Sequence, residues 1–208
     1  MKYNLEKYGQ YKNDIFNKLG FSFEKGKNIL DVGCGDCSDA KIFHEYFKLD
    51  VYGIDIYEHG NLKESPFLKF KKAGIYEIPY PDSYFDYVFL HDILHHIDED
   101  NQSFEKHIAG IKELKRVVKE GGQIIIVEGN RYNPLFYPHM VKMLRHNHWR
   151  QRYFKKVISQ VFRNSDFKFF ESHLYPKNWL WFWKIYEFIM EKFSPNNFLA
   201  YNVAIIKK

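Results

Sequence analysis

The 208-residue chain is 45% hydrophobic and 27% charged, with 20 Phe, 16 Tyr and 4 Trp, a composition that packs a core and excludes a disordered chain. No apolar run reaches the roughly 18 residues needed to cross a bilayer and the first residues lack a secretory apolar stretch, so the expectation is one cytoplasmic domain; Cys34 and Cys37, the two cysteines, exclude a disulfide framework and a four-cysteine zinc site. The net charge of +5 hides an asymmetry: residues 1–130 hold 17 Lys/Arg against 22 Asp/Glu, and residues 131–208 hold 14 against 4.

In chain order, Leu5, Tyr8, Ile15 and Leu19 share one face at helical spacing and Gly20 offers a stop, which predicts an opening amphipathic helix within a helical segment over 1–26. The run ILDVGCGDC then reads as a buried strand ending in a glycine loop, with Ser38 or Asp39 capping a helix that carries Ile42, Phe43, Tyr46 and Phe47. Residues 50–56 read as a second buried strand, 67–78 as a strand or turn, and 85–91 as a further strand after the bend at Pro79, Pro81 and Asp82. A helix over 102–119 places Phe104, Ile108, Ile111, Leu114 and Val118 together, Gly121 and Gly122 end it, and 122–130 is a strand without alternation. Strands alternating with helices predict a parallel, doubly wound α/β sheet. Beyond 130 come a basic helix over 149–163, a strand over 167–175, an apolar aromatic helix over 178–193 and a closing strand over 200–208.

Ligands of such sheets gather beyond the carboxyl ends of the strands, where the first strand meets the first helix. Gly33 and Gly35 stand at that junction, and Asp55 stands 22 residues beyond Gly33 at the end of the second strand, where a carboxylate can accept both ribose hydroxyls. The hexapeptide GCGDCS lacks the last glycine of the dinucleotide fingerprint, and Asp31 and Asp36 would repel a pyrophosphate. The pattern therefore points to a positively charged nucleoside. A dithiol redox role for Cys34 and Cys37 is disfavoured, because the same carboxylates oppose thiolate formation.

These residues resemble the class I S-adenosylmethionine-dependent methyltransferases, in particular the branch with quinone, sterol and other small-molecule methylating members. The resemblance covers about residues 27–130 and rests on ILDVGCGDC, VYGIDI, IPYPDSYFDYVFLHDILHHI and LKRVVKEGGQIIIVEGN in that order. It implies a Rossmann-like, mostly parallel seven-stranded sheet with helical cap elements, as one methyltransferase domain over 1–208. It also implies an enzyme using S-adenosylmethionine and releasing S-adenosylhomocysteine. Asp31, Gly33, Cys34 and Gly35 would surround the methionine part, Asp55 the ribose and Ile56 the adenine. Gly74 stands where many relatives carry an acid for the adenine amino group, so backbone near Ile75 would serve instead. His91 would lie beside the cofactor, face the acceptor and act as base, with Asp92, Glu128 and Tyr132 as positional alternatives.

The substrate side is expected after residue 130, with Arg131, Tyr132 and Arg145 as acceptor-binding residues. From Arg131 to Asn164 there are eight Lys/Arg and no acid, which favours a phosphorylated, carboxylated or lipid-linked small acceptor; a solvated basic face and, less favoured, RNA are the other readings. The polar positions Lys184, Glu187 and Glu191 form a narrow strip on the aromatic helix, leaving a broad apolar surface suited to a pocket, a subunit or a membrane interface. His95 and His96 are read as structural, with no metal expected. An RNA methyltransferase and a non-catalytic cofactor-binding protein are the competing functions.

Overall fold

The computed structural model describes residues 2–174 and 177–208. Seven strands form one sheet in the order β3-β2-β1-β4-β5-β7-β6. The strands are β1 (Asn28–Val32), β2 (Asp50–Asp55), β3 (Lys69–Lys72), β4 (Phe85–His91), β5 (Val118–Gly129), β6 (Ser165–Phe170) and β7 (Tyr201–Lys207). The pairs β1/β2, β1/β4, β2/β3 and β4/β5 are parallel, and β7 runs against both β5 and β6. The strand order reverses between β1 and β4, and this places the loops after Val32 and His91 side by side.

Alternate residues of each central strand serve two separate cores. Ile29, Val51, Phe89 and Val127 face a layer that includes Phe16 and Phe43, while Leu30, Ile54, Leu90 and Ile126 face a layer that includes Ile111, Leu114, Phe154 and Ile158. The first layer is built on α1 (Gln10–Leu19) and α2 (Ser38–Glu45), the second on α3 (Phe104–Val117) and α4 (Gln151–Val161). Burial on both faces explains why the strand sequences are continuously apolar.

Five local expectations need correction. The opening segment is not one helix: Glu6–Tyr8 form a 3-10 turn, and Gly9, at φ 100°, breaks the chain before α1. α2 is not capped by Ser38 or Asp39; Asp36 accepts from the Ser38 N–H at 2.9 Å, and this frees Asp39 to point elsewhere. α3 ends at Val117 rather than at the glycine pair, because Val118 already pairs with Phe85. Gly121 and Gly122 instead lie where the β4/β5 register shifts, Gly121 at φ +75° and Gly122 so close to Asp86 that a Cβ would stand 2.9 Å from its carbonyl oxygen. Finally, a π-helical stretch, Tyr137–Met143, occupies part of the basic segment for which no element is predicted. The strand expected over 167–175 begins at Ser165 and ends at Phe170; Tyr175 lies outside the described residues.

The aromatic helix α5 (Leu180–Phe193) is mounted with its polar strip inward. Lys184 donates to Asp14 at 2.5 Å and to Glu187 at 2.9 Å, Lys18 donates to Glu187 at 3.2 Å and to Glu191 at 2.8 Å, and Glu191 also accepts from the Glu171 N–H. Its apolar side therefore faces outward: Trp181, Phe188 and Phe193 are 65, 58 and 70% exposed. No helix among the described residues is long and apolar enough to cross a membrane.

Candidate functional site

Beyond the carboxyl ends of β1 and β4 lies a cleft of about 680 Å³, lined by Tyr11, Lys12, Asp31, Gly33–Asp36, Asp39, His91 and Asp92, with His173, Leu174 and Leu180 at its cap side. That volume falls within the roughly 300–1,000 Å³ of ordinary small-molecule sites. Four carboxylates and a single lysine among these residues make the cleft a place for a cation.

The glycine loop begins with the N–H groups of Gly33 and Cys34, both donating to the Ile54 carbonyl of β2. The Asp55 carboxylate then accepts from the Gly35 N–H and from the Tyr57 N–H, each at 2.9 Å. Asp55 thus braces the loop from the neighbouring strand, at the edge of the cleft rather than within its lining. Ile56 is 56% exposed beside Gly74, as a residue waiting for an apolar partner would be, whereas Ile75 is buried against Gly110 of α3 and has only backbone to offer a ligand.

Asp31 is 3% exposed and its Oδ2 has no hydrogen-bond partner among the described residues. Burial, then the neighbouring Asp39, pushes its carboxyl well above the usual range. Such surroundings favour the neutral acid, and its charged form would be stabilised only by a cation placed beside it. Both cysteines are buried; burial and then Asp31 push the Cys34 thiol up, and burial pushes Cys37 up, so the pair packs and does not supply a ready thiolate.

On the opposite wall, His91 joins three elements. Its Nδ1–H donates to Asp39 of α2 at 2.9 Å, which leaves Nε2 to accept from the Tyr11 hydroxyl of α1, also at 2.9 Å. Lys12 donates to the same Asp39 oxygen at 2.7 Å. Burial alone would raise the Asp39 carboxyl, but Lys12 and His91 outweigh it and hold the group well below the usual carboxylate range. The Tyr11 and Tyr201 hydroxyls are 2.5 Å apart, and burial followed by the Asp92 charge raises both phenols well above their ordinary value, so they remain protonated donors.

The structure thus brings Asp31, Gly33, Cys34, Gly35 and His91 to one cleft, holds Asp55 against its wall through the Gly35 N–H, and leaves Ile56 outside its lining, against Gly74. It does not bring the expected acceptor residues there. Arg131 and Tyr132 line a separate cleft of about 420 Å³ together with Trp149 and Arg150, and Arg145 lies outside both cleft linings, exposed, with φ at 58°. The reason is the turn at Asn130–Asn133, whose side chains anchor to the Leu199, Asn197 and Phe198 carbonyls and to Glu171, carrying the basic segment over the α4 side of the sheet. Among the alternative bases, Asp92 lines the main cleft, Tyr132 does not, and Glu128 is wholly buried against His95. Tyr11, Lys12 and Asp39 are functional candidates that the sequence does not single out; the one available signal is that Tyr11 and Lys12 occupy a polar part of an otherwise core-facing helix.

Gly33 has φ +72°, and a Cβ there would stand 2.3 Å from Ile93 Cδ1. The left-handed backbone alone costs an L-residue about 1–2 kcal/mol. Gly33→Ala is therefore expected to lower the melting temperature by several degrees and to displace Ile93 into the cleft. Calorimetric titration of the folded variant with S-adenosylhomocysteine should show affinity at least ~10-fold weaker, the equivalent of about 1.4 kcal/mol.

Residues 30–126 match the family model described as a methyltransferase domain. An uncharacterised methyltransferase of Schizosaccharomyces pombe is 32% identical over 130 residues, covering 55% of this chain and 44% of that protein. A demethylmenaquinone methyltransferase of a Geobacillus species is 26% identical over 135 residues, covering 60% and 54%. The chain spans about half the length of these curated relatives. A solved S-adenosylmethionine-dependent methyltransferase from Archaeoglobus fulgidus superposes with a TM-score of 0.69 at 19% identity over 97% of this chain and 93% of that one, a likeness of fold. The glycine loop, the acid after β2 and the sheet order agree with these likenesses: residues 30–126 are similar to a methyltransferase domain, and the sheet has the fold of the S-adenosylmethionine-dependent methyltransferases.

Proposed function

We propose that this protein transfers a methyl group from S-adenosylmethionine to a small amphiphilic acceptor drawn from a lipid surface. The observation that carries the cofactor reading is the unpartnered, buried Asp31 carboxylate in a cleft walled by the glycine loop. Asp31, Gly33, Cys34 and Gly35 would hold the methionine part, Asp55 the ribose, and Ile56, with backbone near Ile75, the adenine. When bound, the cofactor supplies a methyl group on a positively charged sulfur and leaves as S-adenosylhomocysteine.

The chain's own task is then alignment, which supplies about 7–11 kcal/mol where geometry is good, and removal of the acceptor's proton. Tyr11 lines the cleft beside His91. As an acceptor O–H or N–H proton passes to Tyr11 oxygen, the Tyr11 proton passes to His91 Nε2, and Asp39 stabilises the imidazolium that results. Lys12 keeps Asp39 ionised for that purpose.

Two features support an amphiphilic acceptor. The cleft's carboxylates disfavour an anionic group inside it, so the basic segment is better read as a surface than as the acceptor pocket. Leu180, the first residue of α5, lines the cleft, while the outer face of the same helix presents Trp181, Phe182, Ile185, Phe188 and Ile189 to solvent. A helix with an apolar outer face beside the cleft mouth would rest in a headgroup layer and let an acceptor pass directly into the site. The Geobacillus relative is named for a demethylmenaquinone, an acceptor of this chemical kind.

The test of the activity is incubation with methyl-labelled S-adenosylmethionine and separate lipid, small-metabolite and RNA fractions. Label is expected in the lipid fraction; label in RNA would establish the competing reading, for which Arg131, Arg150, Tyr132 and Trp149 in the second cleft are the relevant surface. Cofactor binding with no labelled product in any fraction would leave a binding protein. The membrane part has its own measurement. Wild-type protein should co-sediment with phosphatidylcholine vesicles and blue-shift its tryptophan emission, and Trp181→Ser combined with Phe188→Ser should abolish both. Equal sedimentation of the two proteins would remove α5 from the reading.

A further inference from the structure

Away from the cleft, two histidines contact one buried carboxylate and two more pack against their rings. Glu128, next to the end of β5, is 0% exposed, and its Oε1 lies 2.5 Å from His95 Nδ1 and 3.5 Å from His148 Nδ1. The His95 ring centroid is 3.9 Å from that of His148, 4.0 Å from that of His96 and 5.7 Å from that of His146. His95 and His148 are 1% and 3% exposed, yet among the described residues His95 Nε2 and His148 Nε2 have no hydrogen-bond partner, and His148 Nδ1 meets only Glu128, in a long contact.

Ordinary packing does not account for this. Each buried polar atom without a partner costs about 1–3 kcal/mol; one proton between His95 and Glu128 serves that pair but leaves the outer nitrogens of His95 and His148 without a partner. The surroundings are nonetheless built to hold the rings. Gly129 lacks the Cβ that would stand 2.9 Å from His148 Nδ1, and the Leu94 N–H donates to Glu128 Oε2 at 2.9 Å, fixing the carboxylate. Supporting hydrogen bonds of the latter kind orient metal ligands.

We infer that His95, Glu128 and His148 bind one divalent transition-metal ion, with Zn²⁺ the best match to two imidazoles and a carboxylate. Their candidate ligand atoms lie within 4.8 Å of one another, and a second set of His95, His96 and His146 shares the central ring. Nitrogen-rich ligands of this kind suit zinc and its first-row neighbours, whereas Mg²⁺ and Ca²⁺ require mostly oxygen. On binding, the proton shared between His95 and Glu128 is released to solvent as the metal–ligand bonds form. The ion enters from the smaller cleft, which His148 lines.

Its role is structural and local. His95 follows β4, Glu128 is the penultimate residue of β5 and His148 precedes α4, so the ion ties the loop between Met143 and α4 to the sheet. It does so one residue from Gly129, whose N–H donates to Asp92 of the cleft wall at 2.7 Å.

The test uses the full chain without an affinity tag, stripped with a chelator and then titrated with Zn²⁺, Co²⁺ or Mg²⁺. One Zn²⁺ per chain is expected to survive desalting and raise the melting temperature, and Mg²⁺ should neither bind nor compete. Co²⁺ should develop visible ligand-field absorption, a readout that needs no variant. His148→Ala and His95→Gln should each weaken Zn²⁺ binding by at least ~100-fold, whereas His139→Ala, an exposed histidine outside the cluster, should change nothing. Substoichiometric Zn²⁺ retention, a Co²⁺ complex with the spectrum of the free aqua ion, or unchanged affinity in folded His148→Ala would each overturn the site.

Discussion

Tyr11→Phe and His91→Gln are each expected to lower kcat by about 10²–10⁴-fold, the usual contribution of a positioned general base, while the dissociation constant of S-adenosylhomocysteine moves much less. The geometry gives the two residues one function. Asp39 fixes the His91 tautomer, so the bare Nε2 accepts from the Tyr11 hydroxyl, and both residues line the cleft. Phenylalanine keeps the ring packed on His91, at 5.9 Å between centroids, and removes the relay atom alone. If the residues act through one another, the double variant should be no slower than the worse single one, and activity in both should climb with pH as the acceptor ionises without help. Full kcat in Tyr11→Phe would exclude the relay and leave proximity as the chain's contribution.

The residues of this relay show where sequence reasoning stops. The strands β1, β2, β4 and β5 are readable because their central residues are buried on both faces and so carry short, mostly apolar runs. β3 is hard to read for the opposite reason: Lys69, Lys71 and Lys72 protect an edge strand from further pairing and erase its apolar pattern. The glycine loop and Asp55 are legible because their spacing is local to one strand–loop–helix–strand unit. Tyr11 and His91 are 80 positions apart, and nothing in either neighbourhood specifies the other; the fold joins them only because α1 packs across the ends of β1 and β4.

Charge counting alone does not say where the basic segment lies, for a related reason. The acid-free run from Arg131 to Asn164 is real, but the turn at Asn130–Asn133 sends it away from the cleft, whose walls are acidic. On α5 the strip of Lys184, Glu187 and Glu191 was readable, whereas its direction was set by partners far away in sequence, Asp14 and Lys18. A polar strip ordinarily faces water; here it meets complementary charges on α1, so the apolar side is the one exposed.

Asp55→Ala is expected to weaken S-adenosylhomocysteine binding by about 10–100-fold, the loss appropriate to hydrogen bonds made by a charged acceptor, about 1.5–3 kcal/mol. Two effects add. The carboxylate would receive the ribose hydroxyls, and it already holds the Gly35 and Tyr57 N–H groups at 2.9 Å, so its removal also loosens the loop that faces the methionine part. Fold loss should be small, because Asp55 lies at the carboxyl end of β2 and belongs to neither apolar core. Asp55→Asn separates the two effects: the amide oxygen can accept one of the loop N–H groups but carries no charge, so it should restore the melting temperature while recovering only part of the affinity. Calorimetry of the three proteins, with circular dichroism to confirm the fold, decides the matter. Unchanged affinity in Asp55→Ala would remove the residue from the nucleoside site and require the ribose to be held from elsewhere on the cleft.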